Sequence, residues 1–399
     1  MGLYISVPFC RTKCSYCNFA SDVFSRAAYE NYVSRVLDDI AKAPETASEV
    51  GCILPETVNS MYLGGGTPSI LDPDQLRRIF GALQERFSVV SHTELTVECA
   101  PGTLTPVLIE TLLACGVNRV SLGVQSFVDQ EAQAVGRLHK RTTVLEDIAR
   151  LRQAGLGNIN IDLIAGLPHQ TAESWTFSLS ETIATGVPHV SVYMIEVDED
   201  SRLGRELIAG GNRYHAHFVP DEEATADFYV QACDSLNATG IAQYEISNFA
   251  RSGCESRHNL KYWTRQPYLG FGLDAHSMLT GGRLPSGNAV RFSMPDSLDA
   301  YMNRAPQVVT PVSERGALEE SFFLGLRLNR GVDLERLRAD FSSQSIAACE
   351  SAIEECVQEG LLERRGTRVC LTARGRLLSN EVFAKFLTEE RTGVGSGKS

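Results

Sequence analysis

Short apolar segments alternate with amphipathic helical segments through the first half of this 399-residue chain. The predicted strands cover residues 3–8, 60–63, 94–98, 119–125, 158–164 and 190–195. The predicted helices between them cover residues 28–43, 73–87, 105–115, 143–154 and 172–185. Because parallel strands need crossover connections, this alternation predicts an α/β fold with one parallel sheet and right-handed crossovers. Periodicity does not decide whether the sheet closes into a barrel.

The pattern changes near residue 200 and again near residue 310, which predicts three domains and a tail. Residues 1–200 form the strand–helix core, and residues 201–310 form an α+β extension with a helix near 221–239. Residues 311–390 show helices followed by a short hairpin, the order of a winged-helix-like domain. Residues 391–399 are rich in Gly and Ser and predict a flexible tail.

Charge and hydropathy exclude two classes of partner. The net charge is −12, and the winged-helix-like segment has no basic stripe, so nucleic acid is not an expected partner. The chain has no apolar run of the length that spans a membrane, and its N-terminus lacks the pattern of a secretory signal. We therefore expect a cytoplasmic protein without a stable membrane anchor.

Only three of the eleven cysteines are close together in the sequence. Cys10, Cys14 and Cys17 follow directly on the first predicted strand, whereas the others are scattered. A structural zinc site would need a fourth ligand at short spacing, and the first histidine in the chain is His92. Iron–sulfur clusters also take thiolates, and three of them would leave one iron of a [4Fe–4S] cluster open. The spacing favours the cluster, and zinc is the alternative.

Polar or glycine residues stand at the ends of the next predicted strands. The run Gly64–Pro68, with the sequence GGGTP, ends the second strand, while Glu98 and Gln125 end the third and fourth. Asp162 falls within the fifth. A glycine run fits a simple turn equally well, but a series of polar residues at successive strand ends is hard to explain as core packing. In a barrel these ends would line one ligand pocket.

The cysteine spacing C-x3-C-x2-C, with Tyr16 before the third cysteine, resembles the signature of the radical S-adenosylmethionine (SAM) superfamily. The resemblance implies a partial (β/α)6 barrel. It also implies that the open iron binds the amino and carboxylate groups of SAM, whose reductive cleavage gives a 5′-deoxyadenosyl radical.

A closer resemblance covers residues 4 to about 277, with a weaker match in the C-terminal domain. Segments 4–10, 123–127, 162–168 and 191–196 resemble oxygen-independent coproporphyrinogen III oxidases and their relatives. The resemblance implies a set of SAM-binding residues on the matching positions. They are Tyr4, Tyr16, Gly65, Gly66, Thr67, Glu98, Gln125, Arg137 and Asp162.

Two departures separate this chain from the oxidases of that group. The oxidases carry a fourth cysteine two positions after the third, where this chain has Phe19. They also begin with a segment that reaches the substrate, whereas the first strand predicted here starts at residue 3. Both departures are shared by the HemW-type relatives, which are haem chaperones.

A third feature resembles the same relatives. Residues 257–263 contain the pattern HNxxYW, which the resemblance associates with haem binding through His258, Tyr262 and Trp263. Histidine is an axial ligand of haem iron, and aromatic rings can cover the macrocycle. The alternative is a structural histidine beside a packed tryptophan. His139 and His276 are weaker candidates for the iron ligand.

The leading hypothesis is a haem chaperone that carries a [4Fe–4S] cluster, SAM and haem. Its expected partners are apo-haemoproteins such as respiratory-chain enzymes, and the resemblance leaves a homodimer open. The alternative is an oxygen-independent coproporphyrinogen III oxidase, which decarboxylates propionates oxidatively to give protoporphyrinogen IX. A third hypothesis is a radical enzyme with an unrelated substrate. Whether the chain is an enzyme therefore stays open at this stage.

Overall fold

The computed structural model describes residues 1–199, 201–281 and 289–387. The described residues form two compact units. The first comprises Met1–Tyr262 and Gln266–Pro311, and the second comprises Trp263–Arg265 and the described residues from Val312 onward. The predicted tail at 391–399 lies outside the described residues. Among the described residues, no helix is long and apolar enough to cross a membrane.

Six parallel strands in sequential order form the centre of the first unit, as the alternation predicts. These strands are β1 (Gly2–Val7), β2 (Thr57–Gly65), β3 (Ser88–Cys99), β4 (Arg119–Gln125), β5 (Ile159–Ala165) and β6 (His189–Met194). The helices between them are α1 (Arg26–Ala41), α2 (Ala43–Glu49), α3 (Pro73–Arg86), α4 (Pro106–Ala114), α5 (Asp129–Ala134), α6 (Arg141–Gln153) and α7 (Ala172–Thr185). Six sequential βα strands are the core of the expected partial barrel.

The extension adds strands to both edges of the same sheet. Its elements are α8 (Arg202–Ala209), α9 (Glu222–Ala238), β7 (Ala242–Gln243), β8 (Asn248–Ala250), α10 (Arg257–Trp263), β9 (Tyr268–Phe271), β10 (His276–Thr280), β11 (Ala289–Ser293), α11 (Leu298–Met302) and β12 (Val308–Val312). Strand β9 pairs in parallel with β1, and β8 pairs antiparallel with β6. Within the described residues the sheet runs from β12 to β7 in twelve strands. These added strands have two to five residues, which is too short to leave a periodic signal in the sequence.

The second unit contains helices and a small antiparallel sheet. Its elements are α12 (Glu314–Leu326), β13 (Val332–Asp333), α13 (Leu334–Asp340), α14 (Ser343–Gln358), β14 (Leu362–Arg365), β15 (Arg368–Leu371), α15 (Ala373–Leu377) and α16 (Ser379–Ala384). The sheet has the order β13-β15-β14, so the hairpin gains a third strand from the segment before α13. Helices followed by such a hairpin are the winged-helix-like arrangement that the sequence predicts.

The central strands carry apolar side chains on one face and polar side chains on the other. On β5, Ile161 and Leu163 are fully buried, whereas Asn160 and Asp162 line an internal cavity together with Ser121 of β4. Successive strand residues point to opposite faces, so the apolar set packs away from the cavity. The inner face of the sheet is therefore polar and suited to holding a ligand.

Candidate functional site

The cysteine loop leaves the end of β1 and is tied to two other segments. A bridge joins Phe9 to Asp22, and the Cys10 amide donates to the Asp22 carbonyl over 3.0 Å. On the other side, the Thr12 hydroxyl donates to the carbonyl of Gly136 over 3.0 Å, and the Ser15 amide donates to the backbone after α5. These bonds set the loop across one end of the sheet.

The three thiols are free and half-buried, and they line one cavity of about 410 Å³. Burial raises the pKa of Cys10 and Cys17, so their thiolates need a nearby positive charge to form. In the described part of the chain, no group of three or more His, Cys, Asp or Glu side chains is spaced to hold a single metal ion. An iron–sulfur cluster takes thiolate ligands, and its iron supplies the missing charge. Three thiolates without a fourth Cys or His nearby in the sequence fit a cluster with one open iron better than a structural zinc site, which takes four ligands.

The glycine run packs against the start of the cysteine loop. The Gly66 amide donates to the Val7 carbonyl and the Thr67 amide to the Phe9 carbonyl, each over 2.8 Å. A Cβ at Gly66 would lie 2.7 Å from the Phe9 oxygen and 2.8 Å from the Val7 oxygen. This close backbone approach explains the glycine at that position. It also brings the Thr67 hydroxyl within 3.8 Å of the Cys10 sulfur.

Glu98, at the end of β3, is held on the floor of the cavity. The Tyr62 hydroxyl donates to its Oε1 over 2.7 Å, and the Gly65 amide donates to its Oε2 over 3.2 Å. The pKa of Glu98 is raised to about 7, chiefly by burial and also by the neighbouring Asp162, while these hydrogen bonds act in the opposite direction. The carboxyl can therefore gain or lose a proton near neutral pH.

Strand β4 ends in a β-bulge, and its last residue, Gln125, lines the cavity. The pairing with β5 shifts between Gly123 and Gln125, and Gln125 adopts a φ of 70°. A Cβ at Gly123 would lie 3.0 Å from Nη2 of Arg137, so this glycine leaves room for the guanidinium. Arg137 donates from Nη2 to the Tyr16 hydroxyl over 3.3 Å. Its buried Nε has no partner among the described residues and is available to an anionic ligand.

Asp162 accepts hydrogen bonds from Ser121 of β4 and Asn160 of β5, which lie beside it on the inner face of the sheet. The Ser121 hydroxyl donates to Oδ2 over 3.0 Å and the Asn160 amide donates to Oδ1 over 2.7 Å. Burial raises the pKa of Asp162, and these donors act in the opposite direction. The carboxylate is thus presented in a fixed orientation, with its remaining lone pairs toward the cavity.

The structure brings eight of the nine predicted SAM-binding residues to the cavity with the cysteines, which we call the cluster cavity. The exception is Tyr4, which lines a neighbouring cavity. The prediction missed Tyr62, Arg119, Ser121 and Asn160, which also line the cluster cavity. Three of these, Arg119, Ser121 and Asn160, lie an even number of residues before a predicted member on the same strand. The alternation of side chains along a strand could have identified them.

The second cavity, which we call the tyrosine cavity, has a volume of about 340 Å³. It shares part of its lining with the cluster cavity, so the two are adjacent. The shared residues are Phe19, Ser21, Gly65 and Gly66. The rest of its lining includes Tyr4, Tyr262, Tyr268, Asp274 and His276.

In the HNxxYW segment, His258 and Tyr262 contact each other, whereas Trp263 belongs to the second unit. His258 is 1% exposed; its Nδ1 lies 3.0 Å from the Ser60 hydroxyl and its Nε2 2.8 Å from the Tyr262 hydroxyl. The pKa of His258 is lowered to about 3, chiefly by burial and also by the positive charge of Lys261. In this conformation both ring nitrogens are engaged, which matches the structural alternative of the sequence analysis. Trp263 lies in the second unit, where the Arg327 guanidinium stacks 4.3 Å from its ring centroid.

The two weaker histidine candidates differ in accessibility. His139 is buried, its Nε2 lies 3.1 Å from the Val124 carbonyl, and burial together with Arg137 lowers its pKa to about 4. His276 is exposed at the first position of β10, and its ring contacts only Asp274 among the described residues. Of the three candidates, only His276 offers a ring nitrogen to a ligand from solvent.

Two family models match the chain. The model of the radical SAM superfamily matches residues 4–179, which include the cysteines and the strand ends. The model of the HemN C-terminal domain matches residues 312–378, which lie in the second unit.

Relatives match nearly the whole chain. The heme chaperone HemW of Bacillus subtilis is 33% identical over 97% of this chain and 99% of its own length. The heme chaperone HemW of Lactococcus lactis is 32% identical over 97% of both chains. The solved structure of coproporphyrinogen III oxidase (HemN) from Escherichia coli has a TM-score of 0.80 and 22% identity, covering 96% of this chain and 89% of its own. That likeness shows the fold.

Proposed function

We propose that this chain, which belongs to the HemW family of the radical SAM superfamily, is a haem chaperone. It binds haem, carries a [4Fe–4S] cluster with SAM, and delivers haem to apo-haemoproteins such as respiratory-chain enzymes. The observation that carries the proposal is the end-to-end match to curated haem chaperones, with 97% of this chain aligned at 33% identity.

The residues of the cluster cavity fit the cluster and SAM by their chemistry. Cys10, Cys14 and Cys17 would hold three irons, and the fourth iron with bound SAM supplies one-electron chemistry. Arg137 offers its unpartnered Nε to a carboxylate. Glu98 offers a carboxyl oxygen to an amino or hydroxyl group. The narrow loop around the thiols keeps bulk water from most of their surface.

The alternative, an oxygen-independent coproporphyrinogen III oxidase, shares this fold, so the fold does not separate the two activities. Phe19 does separate them. It is 63% exposed and lines both cavities, at the position where the resemblance described in the sequence analysis implies a fourth cysteine in the oxidases. An apolar ring there supplies no proton or ligand and suits contact with a hydrophobic macrocycle.

A direct assay separates chaperone from oxidase. The reconstituted chain, incubated anaerobically with coproporphyrinogen III, SAM and a reductant, should leave the substrate intact. The same preparation should show a Soret band with added haem and should restore the spectrum of an apo-haemoprotein of the respiratory chain. Formation of protoporphyrinogen IX would establish the oxidase instead.

The cluster assignment has its own test. A variant with alanine at Cys10, Cys14 and Cys17 should lose the iron, the sulfide and the broad absorption of the reconstituted protein. Cys254→Ala is the matched control, because Cys254 is also half-buried and free but lies away from the cluster cavity. Retention of iron and sulfide in the triple variant would overturn the assignment. Sedimentation of the reconstituted chain tests the homodimer that belongs to the same proposal.

A further inference from the structure

A chain of hydrogen bonds runs from the start of α10 to Asp162 in the cluster cavity. The Ser256 amide, directly before α10, donates to the Tyr244 hydroxyl over 3.2 Å, and this hydroxyl lies 2.9 Å from Nε2 of His189. Nδ1 of His189 lies 2.6 Å from Oδ1 of Asn160, whose amide nitrogen donates to Asp162 over 2.7 Å. Ser256, His189 and Asn160 are fully buried, so solvent does not compete for these bonds.

The Asp162 end fixes the direction of every bond in this chain. An ionised carboxylate only accepts, so Asn160 must turn its amide nitrogen towards Asp162 and its oxygen towards His189. His189 therefore carries its proton on Nδ1 and accepts from the Tyr244 hydroxyl at Nε2. The Tyr244 oxygen accepts the Ser256 amide in turn. Each group donates towards Asp162, and in such a chain each bond polarises the next.

The surroundings of His189 keep its ring neutral. Burial lowers the pKa of His189 well below its usual value, and the positive charge of Arg119 acts in the same direction. The lone pair of Nε2 therefore stays available to Tyr244 through the neutral pH range. Among the described residues, His189 and Tyr244 line neither the cluster cavity nor the tyrosine cavity, so they act on a ligand only through Asn160.

We infer that His189 and Tyr244 are positioning residues of the SAM site, which hold Asn160 so that Asp162 stays oriented and ionised to accept a hydrogen bond from SAM. The inference rests on the SAM site of the proposed function and assigns to it two residues outside its lining. Without His189, the Asn160 amide is free to rotate away from Asp162. A carboxylate that loses a donor binds its proton up to a higher pH.

Other groups also act on the ionisation of Asp162. Burial raises the pKa of Asp162, whereas nearby hydrogen-bond donors and the positive charge of Arg119 lower it. The donors are Ser191, Ser121 and Asn160. The titratable groups that face Asp162 from other elements include Glu98, Tyr62, Tyr193 and Arg137. All of these are present in each variant below, so a difference between variants reports the hydrogen-bond chain.

The test is the pH profile of SAM binding by the reconstituted full chain, measured by equilibrium dialysis. In His189→Leu the loss of affinity at acid pH should begin up to about one pH unit higher, so that SAM binds there up to about tenfold more weakly than in the unaltered chain. At alkaline pH the two should bind nearly alike. His189→Asn should restore much of the profile, because its amide nitrogen can donate to Asn160 in place of Nδ1. Tyr244→Phe should shift the profile in the same direction by less, since it removes only the outer donor.

Tyr229→Phe is the matched control. Tyr229 is a buried tyrosine of the same extension, and its hydroxyl donates to the Ile246 carbonyl over 2.6 Å, away from the chain to Asp162. This variant should lose stability in urea as Tyr244→Phe does, but it should keep the unaltered SAM profile. Nitrogen-15 resonances of the His189 ring give a second readout, because they should show a neutral ring with its proton on Nδ1.

Each outcome has a defined meaning. If the unaltered chain binds no SAM, the proposed SAM site fails and the inference fails with it. If it binds SAM but His189→Leu keeps the unaltered pH profile, the inference is wrong and the SAM site stands. An equal loss of affinity at every pH, the same shift in Tyr229→Phe, or a His189 proton on Nε2 would also overturn it. The inference holds when His189→Leu shifts the profile, His189→Asn restores it and Tyr229→Phe leaves it unchanged.

Discussion

Replacement of Gly66 by alanine should destabilise the first unit and should also prevent the iron–sulfur cluster from binding. The added Cβ would lie 2.7 Å from the Phe9 oxygen, 2.8 Å from the Val7 oxygen and 3.0 Å from the Phe9 nitrogen. All three are backbone atoms, so no side-chain rotation relieves the overlap. The chain must move apart at the point where β1 passes into the cysteine loop.

The magnitude follows from the bonds that this movement stretches. The amides of Gly66 and Thr67 each donate to the β1 segment over 2.8 Å. Two backbone hydrogen bonds contribute about 1 kcal/mol each, and overpacking costs about 1–3 kcal/mol more. The free energy of unfolding should therefore fall by about 3–5 kcal/mol, a large part of the stability of an ordinary domain.

Urea unfolding followed by circular dichroism measures this change, and iron analysis after reconstitution measures the cluster. Gly81→Ala is the matched control, because nothing lies within 4 Å of a Cβ at this position inside α3. That variant should be more stable by about 1 kcal/mol, since alanine favours the helix over glycine. If Gly66→Ala unfolds within about 1 kcal/mol of the unaltered chain and binds full iron, the steric argument is refuted.

Three further predictions follow from the same contacts. Because burial raises the pKa of Glu98 from 4.5 to about 7, the chain loses stability as the pH rises through this range. Unfolding at several pH values should show that Glu98→Gln removes up to about 3 kcal/mol of that loss. His258→Ala should lower the free energy of unfolding by about 1–3 kcal/mol, because the buried Ser60 hydroxyl loses its partner, while the Soret band persists. Gly123→Ala should weaken SAM binding by about tenfold in equilibrium dialysis, because its Cβ meets Arg137 at 3.0 Å.

Specific results would contradict each of these. An identical pH dependence in Glu98→Gln and the unaltered chain would show that this carboxyl does not titrate near neutrality. A Soret band lost in a His258→Ala variant that stays folded would return that histidine to the role of ligand. Unchanged SAM affinity in Gly123→Ala would mean that Arg137 moves aside without effect on the ligand.

The fold was predictable where strands are long and buried. Six central strands recur at the predicted positions, because residues such as Ile161 and Leu163 must be buried on a face covered by helices. The prediction was wrong for part of the extension. The only helix that the sequence analysis places in the extension lies near 221–239, but residues 201–214 contain α8, whose start is capped by the Ser201 hydroxyl accepting from the Gly204 amide. Two glycines near the end of that segment obscured the helical pattern.

The cluster cavity was predictable for a geometric reason. Parallel strands bring their carboxyl ends to one edge, so polar residues at successive ends, such as Glu98 and Gln125, must meet. The sequence did not predict in the same way which residues line the cluster cavity and which line the tyrosine cavity. Tyr4 lies on β1, the strand that leads into the cysteine loop, yet it lines the tyrosine cavity. That cavity forms because β9, which carries Tyr268, pairs with β1, and β10, which carries His276, pairs with β9.

The sequence by itself determined the strand–helix core, the three clustered cysteines and the polar strand ends, because spacing along one chain encodes each of them. Only the tertiary structure shows what surrounds each candidate histidine. His258 stands in the more suggestive motif, but Ser60, almost two hundred residues away, and Tyr262 occupy its nitrogens. His276 stands in no such motif and keeps a nitrogen open. A side chain's partners come from strands distant in sequence, and that proximity exists only after the chain has folded.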